Sequence, residues 1–157
     1  MPERRALKID DFNALRAEVA QLRGGYARAG QWSLAQVCYH VDRSMREAMN
    51  APATPIPNTP EQDARAGLFA GVMRDARIPD GLSAPDHTAP PADVSDAAID
   101  DLIATADRFE RSSGPYSPHR LFGNLSPEVR RRHQLIHAAH HLSFLIPTAA
   151  MPARPTK

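Results

Sequence analysis

The chemical signal in this 157-residue sequence is a cluster of histidines between positions 133 and 141. Four of the seven histidines fall there, and they are His133, His137, His140 and His141. At about 100° per residue, these four side chains share one face of an α-helix. His137 and His141 are separated by four residues, which sets their imidazoles side by side, one turn apart. This spacing lets both rings reach a single metal ion.

Zinc peptidases with an H-E-x-x-H helix use the same spacing, but the position of their general base is occupied here by Ala138. The peptidase reaction is therefore not expected. Catalytic zinc sites usually have three protein ligands plus water, so two helical histidines do not complete a site. His40 is the best candidate for the third ligand, because facing helices of a bundle commonly combine their side chains in this way. Such a nitrogen-only site suits divalent Zn, Ni, Cu or Fe better than Ca or Mg.

The other interpretation is that these histidines are structural. A single histidine at the edge of an apolar helix face, such as His40, is more often simply hydrogen-bonded. Burying four imidazoles without partners, however, would cost on the order of 1–3 kcal/mol each. If a metal binds, His133 and His140 are expected beside it as outer partners or proton-handling groups. His87 and His119 lie in predicted loops and are interpreted as surface residues, although His119 could approach the site.

Four amphipathic helices are predicted to position these side chains. Ser33 and Gln36 have the capping-box spacing that marks a helix start, and Ser126 followed by Pro127 marks another. No alternating apolar run predicts a strand, so we expect an all-α fold: an up-down four-helix bundle forming a single domain over residues 1–157. The predicted helices run from Asp10 or Asp11 to Gly24, from Ser33 to Pro52, from Ser95 to Ser112–Gly114, and from Ser126 to about Ile146.

A long proline-rich connection, residues 51–92, joins the second and third predicted helices. Within it, EQDARAGLFAGVMRDA is compatible with a helix that Gly67 and Gly71 weaken. A connection of this length in a compact domain usually covers something, so a lid over one end of the bundle is expected. The proline-containing tail, residues 147–157, is expected to be frayed.

Composition bounds the partners and the compartment. A formal net charge of +1 favours neither nucleic acid nor an anionic membrane as a partner. Arg130, Arg131 and Arg132 are interpreted as a solvated helix face. No signal peptide and no apolar run of roughly 18 residues is found, and the single cysteine, Cys38, excludes an intrachain disulfide. A cytoplasmic protein with a buried, inert Cys38 thiol is expected.

Two runs of sequence resemble the DinB/YfiT-like superfamily of metal-dependent enzymes, over about residues 7–144. They are GQWSLAQVCYHVDRSM and LFGNLSPEVRRRHQLIHAAHHLSFL. The closest likeness is to an uncharacterised branch with an H-x-x-H-H-L pattern, matched here by residues 137–142. The resemblance implies a four-helix bundle that binds a divalent ion, often nickel or zinc, through His40, His137 and His141. It also implies a small-molecule substrate and a low-molecular-weight thiol such as mycothiol or bacillithiol.

Two functions are therefore expected as alternatives. The first is a metal-dependent enzyme, a thiol-dependent transferase or a hydrolase, in which three imidazoles leave the ion an open position. The second is a non-catalytic helical module that forms a homodimer or binds a partner, with a structural or adventitious metal. Coordination discriminates between them, because four protein ligands close a structural site whereas a catalytic site stays open.

Overall fold

The computed structural model describes residues 3–82, 85 and 87–148, and this part of the chain is mostly helical. Its elements, in chain order, are α1 (Phe12–Arg23), β1 (Tyr26–Arg28), α2 (Leu34–Met49), α3 (Pro60–Ala64), α4 (Ala66–Asp75), α5 (Ala97–Arg111), α6 (Pro127–Leu142) and β2 (Leu145–Pro147). The predicted predominance of helix is confirmed. Within the described ranges, no helix has the length and apolar character needed to cross a lipid bilayer.

Side-chain caps begin three of the four longer helices at the positions that the sequence predicts. The Asp11 carboxylate accepts from the backbone N–H of Ala14 at the start of α1. At the start of α2, Ser33 and Gln36 form both hydrogen bonds of a capping box. Ser126 accepts from a backbone N–H at the start of α6. Each cap satisfies an N–H group that the helix itself leaves unpaired.

The core lies between the four longer helices, α1, α2, α5 and α6. Helix α2 packs chiefly against α5 and also contacts α6, while α1 contacts both α5 and α6. Large fully buried side chains come from all four helices, and they include Leu15, Met45, Leu102, Phe109 and Leu142. Apolar burial of this kind is the main favourable term in folding, and it brings the inner faces of α2 and α6 together.

The predicted start of the third long helix is wrong. Helix α5 begins at Ala97 rather than at Ser95, and its N-cap residue, Asp96, forms no side-chain capping hydrogen bond. Asp96 has helical φ and ψ, whereas a side-chain cap normally needs the extended conformation seen at Ser33.

The prediction of a purely helical chain is also wrong at the carboxyl-terminal side. Helix α6 ends at Leu142 instead of about Ile146, and β2 pairs antiparallel with β1, with Pro147 opposite Tyr26. Leu145 is fully buried, so the extended segment both fills the core and satisfies its backbone groups. The predicted frayed tail therefore does not begin at Pro147, and residues 149–157 lie outside the described residues.

The connection between α2 and α5 is less irregular than predicted. The stretch compatible with one helix forms two, α3 and α4, with a break at Arg65. Arg65 donates to the carbonyl of Leu121, and the Gln62 amide donates to the carbonyls of His119 and Arg120. These bonds tie the connection to the loop that precedes α6.

Replacing Ser33 by Ala should lower the free energy of unfolding by about 1 kcal/mol, because it removes half of the capping box on the helix that carries His40. Urea denaturation measures the loss. Ser95→Ala is the matched control, since no side-chain hydrogen bond of Ser95 is seen, and it should change stability by less than about 0.5 kcal/mol. Equal losses in the two variants would contradict this assignment of the caps.

Candidate metal centre

Three histidines from two helices meet at one point. His40 lies in α2, His137 and His141 lie in α6, and one ring nitrogen of each lies within 4.8 Å of the other two. The Nε2 atom of His137 is 3.1 Å from Nε2 of His40 and 3.1 Å from Nε2 of His141. Nitrogen ligands at about 2.0–2.1 Å from a tetrahedral zinc ion lie roughly 3.3 Å apart. Two of the three spacings are therefore already close to those of a ligand set.

A backbone carbonyl determines which nitrogen of His40 carries the proton. The Nδ1 atom of His40 lies 3.0 Å from the carbonyl oxygen of Thr88, which can only accept, so Nδ1 donates. Burial lowers the pKa of His40, and the hydrogen bond to Thr88 opposes this in part. In the resulting neutral ring, Nε2 has a free lone pair, and it faces His137.

Burial keeps the other two imidazoles neutral as well. It is the main reason that the pKa values of His137 and His141 lie well below the ordinary value, and neighbouring histidines lower them further. Each neutral ring offers one lone pair. A single proton can satisfy only one of the two close nitrogen–nitrogen contacts. A cation at the shared point would accept a lone pair from each of the three rings. The donor set therefore fits a transition metal ion.

Trp32 packs against two of the three rings. Its indole stacks on His141, with ring centroids 5.3 Å apart and an interplanar angle of 19°, and it contacts His40 at 5.2 Å with a tilt. Trp32 immediately precedes Ser33, the capping residue of α2. The same local structure that begins the helix thus places an aromatic surface behind the histidines and restricts the orientation of their rings.

His140 lies beside the three histidines, and Arg4 holds it there. The Arg4 guanidinium donates to His140 Nδ1, so the proton of the neutral ring is on Nε2. Burial, followed by the charge of Arg4, lowers the pKa of His140 to about 4. Arg4 also pairs with Asp80 at 3.0 Å and donates to the carbonyl of Ile78. Residues far apart in sequence therefore set the tautomer of His140.

His119 is half-buried beside His133 rather than on the surface, because its loop folds back toward α6, and the expected alternative that it approaches the site is the one seen. The His119 Nδ1 atom accepts from the backbone N–H groups of Leu121 and Phe122, which leaves its proton on Nε2. Burial lowers the pKa of His119 to about 2, and that of nearby His133 to about 4. Gly123 closes the loop at a φ of 74°, where a side chain would be strained and would collide with Asn58.

The surface interpretation of His87 is confirmed. Its ring is exposed, and its Nε2 atom lies 3.1 Å from the carboxylate of Glu47. The expectation for the single cysteine also holds, because Cys38 is fully buried and burial raises the pKa of its thiol to about 12. Neither residue belongs to the group of converging histidines.

A cavity of about 120 Å³ opens beside the three converging histidines. One water molecule needs roughly 10–15 Å³ on this scale, so the space accommodates a small molecule of several atoms. The polar part of the wall contains the six histidines of the site, at positions 40, 119, 133, 137, 140 and 141. Much of the apolar part comes from the connection: Leu68, Val72, Ile78, Pro79, Leu82 and Pro85.

No fourth histidine, cysteine or carboxylate joins the group among the residues that the structure describes. Three nitrogen ligands leave a tetrahedral ion with an open position. The three rings also form part of the cavity wall, so a molecule in the cavity can reach that position. The structure thus brings together the three histidines that the sequence singles out, while their binding of a metal stays a prediction.

One family model matches the chain over residues 1–148, and its description is "Protein of unknown function (DUF1569)". The chain belongs to this family. The predicted membership of the DinB/YfiT-like superfamily is wrong, since DUF1569 is a different family and no DinB/YfiT-like model matches. No curated protein and no solved structure matches the chain. The two runs of sequence that carried the resemblance therefore do not by themselves identify the family.

Sequence analysis missed several residues of the site in this DUF1569 chain. Arg130 is buried in the cavity wall instead of lying on a solvated face, and only Arg132 of the three consecutive arginines is exposed. A signal was available, since the helical period places Arg130 on the same face as His137 and His141. No local pattern in the sequence indicates the contact of Thr88 with His40, because the two residues are 48 positions apart.

Acid should destabilise the metal-free protein through its neutral histidines. The pKa of His133 is about 4 in the folded chain and about 6.5 in the unfolded chain, so the unfolded state binds more protons between these values. Stability is thus fully present above about pH 6.5 and falls toward pH 4. His133 alone should account for about 3 kcal/mol of this loss.

Urea denaturation of chelator-treated protein at several pH values measures the effect. His133→Phe, which removes the titrating group but keeps an aromatic ring beside Phe69 and Phe122, should lose correspondingly less stability on acidification. An identical pH dependence in the variant and in the wild type would refute the assignment.

Proposed function

We propose that this protein is a metal-dependent enzyme. It binds one divalent transition metal ion, Zn²⁺ or Ni²⁺, through His40, His137 and His141, and it acts on a small molecule held in the adjacent cavity. The long helices α1, α2, α5 and α6 serve as a four-helix bundle whose inner surface carries the ligands. The described part of the connection over residues 51–92 forms the lid of the cavity.

The observation that carries the proposal is the convergence of three neutral imidazoles at the wall of a cavity. Their nitrogen spacing suits a metal ion, and the described residues supply no fourth ligand to close the site. A closed structural site would have four protein ligands. The three-ligand arrangement therefore favours chemistry over a purely structural metal.

When bound, such an ion supplies Lewis acidity and lowers the pKa of a coordinated water or thiol. The protein's own groups then position the substrate. The neutral tautomers of His119 and His140 each place an N–H on Nε2 in rings that line the cavity. With pKa values of about 2 and about 4, both rings are neutral at pH 7. Their N–H groups therefore donate hydrogen bonds to substrate oxygen atoms without adding a positive charge.

Other expectations of the sequence analysis stay predictions. A low-molecular-weight thiol was implied only by the DinB/YfiT-like resemblance, and no contact in the cavity bears on it. No contact in the cavity bears on the homodimer or partner-binding module either, or on the choice between transferase and hydrolase. The described chain adds the cavity to this comparison, and a small-molecule pocket beside an incomplete ligand set favours the enzyme.

Metal analysis tests the proposal. Protein purified without chelator, or chelator-treated protein reloaded with Zn²⁺ or Ni²⁺, should contain close to one ion per chain by elemental mass spectrometry. His137→Ala removes the central ligand and should reduce this content to background. His87→Ala, which removes an exposed histidine outside the group, should retain it. Wild-type protein that takes up neither metal would refute the proposal.

Substitution with Co²⁺ distinguishes an open site from a closed one. The visible absorption of the Co²⁺ protein should change on addition of a small ligand such as azide, because azide can occupy an open coordination position. Trp32→Ala is expected to weaken Co²⁺ binding roughly tenfold to a hundredfold, as loss of outer support does at other metal sites. A spectrum that azide leaves unchanged would indicate a closed, structural site.

A further inference from the structure

Arg130 is a buried cation that forms no ion pair with the described residues. It lies in α6, its residue is 4 % exposed, and it forms part of the cavity wall. Its Nε atom donates to the carbonyl of Ser117 at 3.3 Å. Its Nη1 atom is buried and has no hydrogen-bond partner, and no carboxylate of the described residues forms an ion pair with it.

The neighbouring arginine shows that this arrangement is not general in α6. Arg131 donates to the carbonyls of Phe109, Glu110 and Ser112 and to the hydroxyl of Tyr116. Its guanidinium is therefore well satisfied by the protein itself. The two consecutive arginines thus differ: Arg131 ties α6 to the carboxyl-terminal end of α5, while Arg130 keeps a donor without a partner in a residue that lines the cavity.

The charge of Arg130 persists at neutral pH despite its burial. Burial lowers its pKa to about 10, and the negative charge of Glu47 opposes this in part. The carboxylate of Glu47 instead lies 3.1 Å from the ring nitrogen of His87. Leaving a buried charge unpaired is strongly unfavourable for folding. A buried donor without a partner in a folded protein calls for an explanation, such as a catalytic role or a bound ion.

The position of Arg130 relates it directly to the metal centre. It precedes His137 by seven residues and His141 by eleven, so each histidine lies about 20° from Arg130 around α6 and all three fall within about 40°. The helical rise places Arg130 roughly 10 Å along the axis from His137. The cavity wall includes all three residues, and Leu68, Val72 and Phe122 supply apolar surface to the same wall.

We propose that Arg130 binds the carboxylate group of the substrate, whose apolar body fills the cavity and whose reacting group lies at the three histidines. This inference rests on the proposed function only for the placement of the reacting group at the three histidines. A guanidinium pairs well with a carboxylate through parallel hydrogen bonds. One guanidinium matches the single negative charge of a carboxylate, whereas a phosphate dianion calls for further donors. The substrate class is therefore a small carboxylic acid with an aliphatic or aromatic body.

Isothermal titration with hexanoate, hexanamide and hexyl phosphate tests the inference, using chelator-treated and Zn²⁺-loaded full-length protein. Hexanoate should bind wild-type protein, and uncharged hexanamide should bind at least tenfold more weakly. Arg130→Met should lower hexanoate affinity roughly tenfold to a hundredfold, as expected for a charged hydrogen bond, and leave hexanamide unchanged. Arg132→Met removes the same charge from an exposed position and should have no effect.

Stability provides a second, independent measurement. If Arg130 serves a ligand, Arg130→Met replaces a buried charge that has no ion pair by an apolar side chain and should leave the melting temperature unchanged or raise it. If Arg130 serves only folding, the variant should melt earlier. Arg130→Lys keeps the charge but not the planar fork, so it should fold and retain part of the hexanoate affinity.

Each contrary result overturns a definite part of the inference. Equal binding of hexanoate and hexanamide, or unchanged hexanoate binding in Arg130→Met, excludes an anion site at Arg130. Tighter, Arg130-dependent binding of hexyl phosphate would replace the carboxylate class by phosphate esters. Hexanoate binding by chelator-treated protein and uptake of metal are separate measurements, one for each proposal. Hexanoate binding without metal uptake would therefore refute the proposed enzyme and keep the anion site. Metal uptake without hexanoate binding would refute the anion site and keep the proposed enzyme.

Discussion

The close approach of three imidazole rings from α2 and α6 is the constraint on which the rest of the site depends. Neutral imidazoles cannot all direct lone pairs at a common point without repulsion, and one proton relieves only one of their contacts. Burial prevents the alternative of protonation, since it lowers the pKa of His40, His137 and His141. A cation is the remaining way to satisfy the three nitrogen atoms together.

Distant segments determine which ring nitrogen carries the proton in three of the cavity histidines. The carbonyl of Thr88 fixes the tautomer of His40, Arg4 fixes that of His140, and the backbone of the loop after His119 fixes that of His119. In each case a fixed donor or acceptor outside the helix selects one nitrogen of the ring. The cavity therefore presents a defined pattern of lone pairs and N–H groups, which is a requirement for selecting one kind of ligand.

Helix α6 combines two roles that normally conflict. One side of it packs into the core through Leu135, Ala138 and Leu142, and the adjacent side carries Arg130 and the converging histidines. Its polar residues are largely buried, so the helix accepts desolvation that a helix selected only for stability would avoid. This distribution of polar groups is typical of functional sites, where stability is exchanged for ligand binding.

The sequence alone was sufficient for the predominance of helix and for the caps at Asp11, Ser33 and Ser126, because periodicity and capping act over a few residues. It also singled out His40, His137 and His141, which converge in the structure and whose binding of a metal stays a prediction. The sequence misled at Ser95, which is not the cap of α5, and in the family resemblance, because the matching family model is DUF1569. The pairing of β1 with β2, the contact of Thr88 with His40 and the burial of Arg130 were decided only by the tertiary structure. These features depend on which distant segments pack together, and no local pattern in the chain encodes that choice.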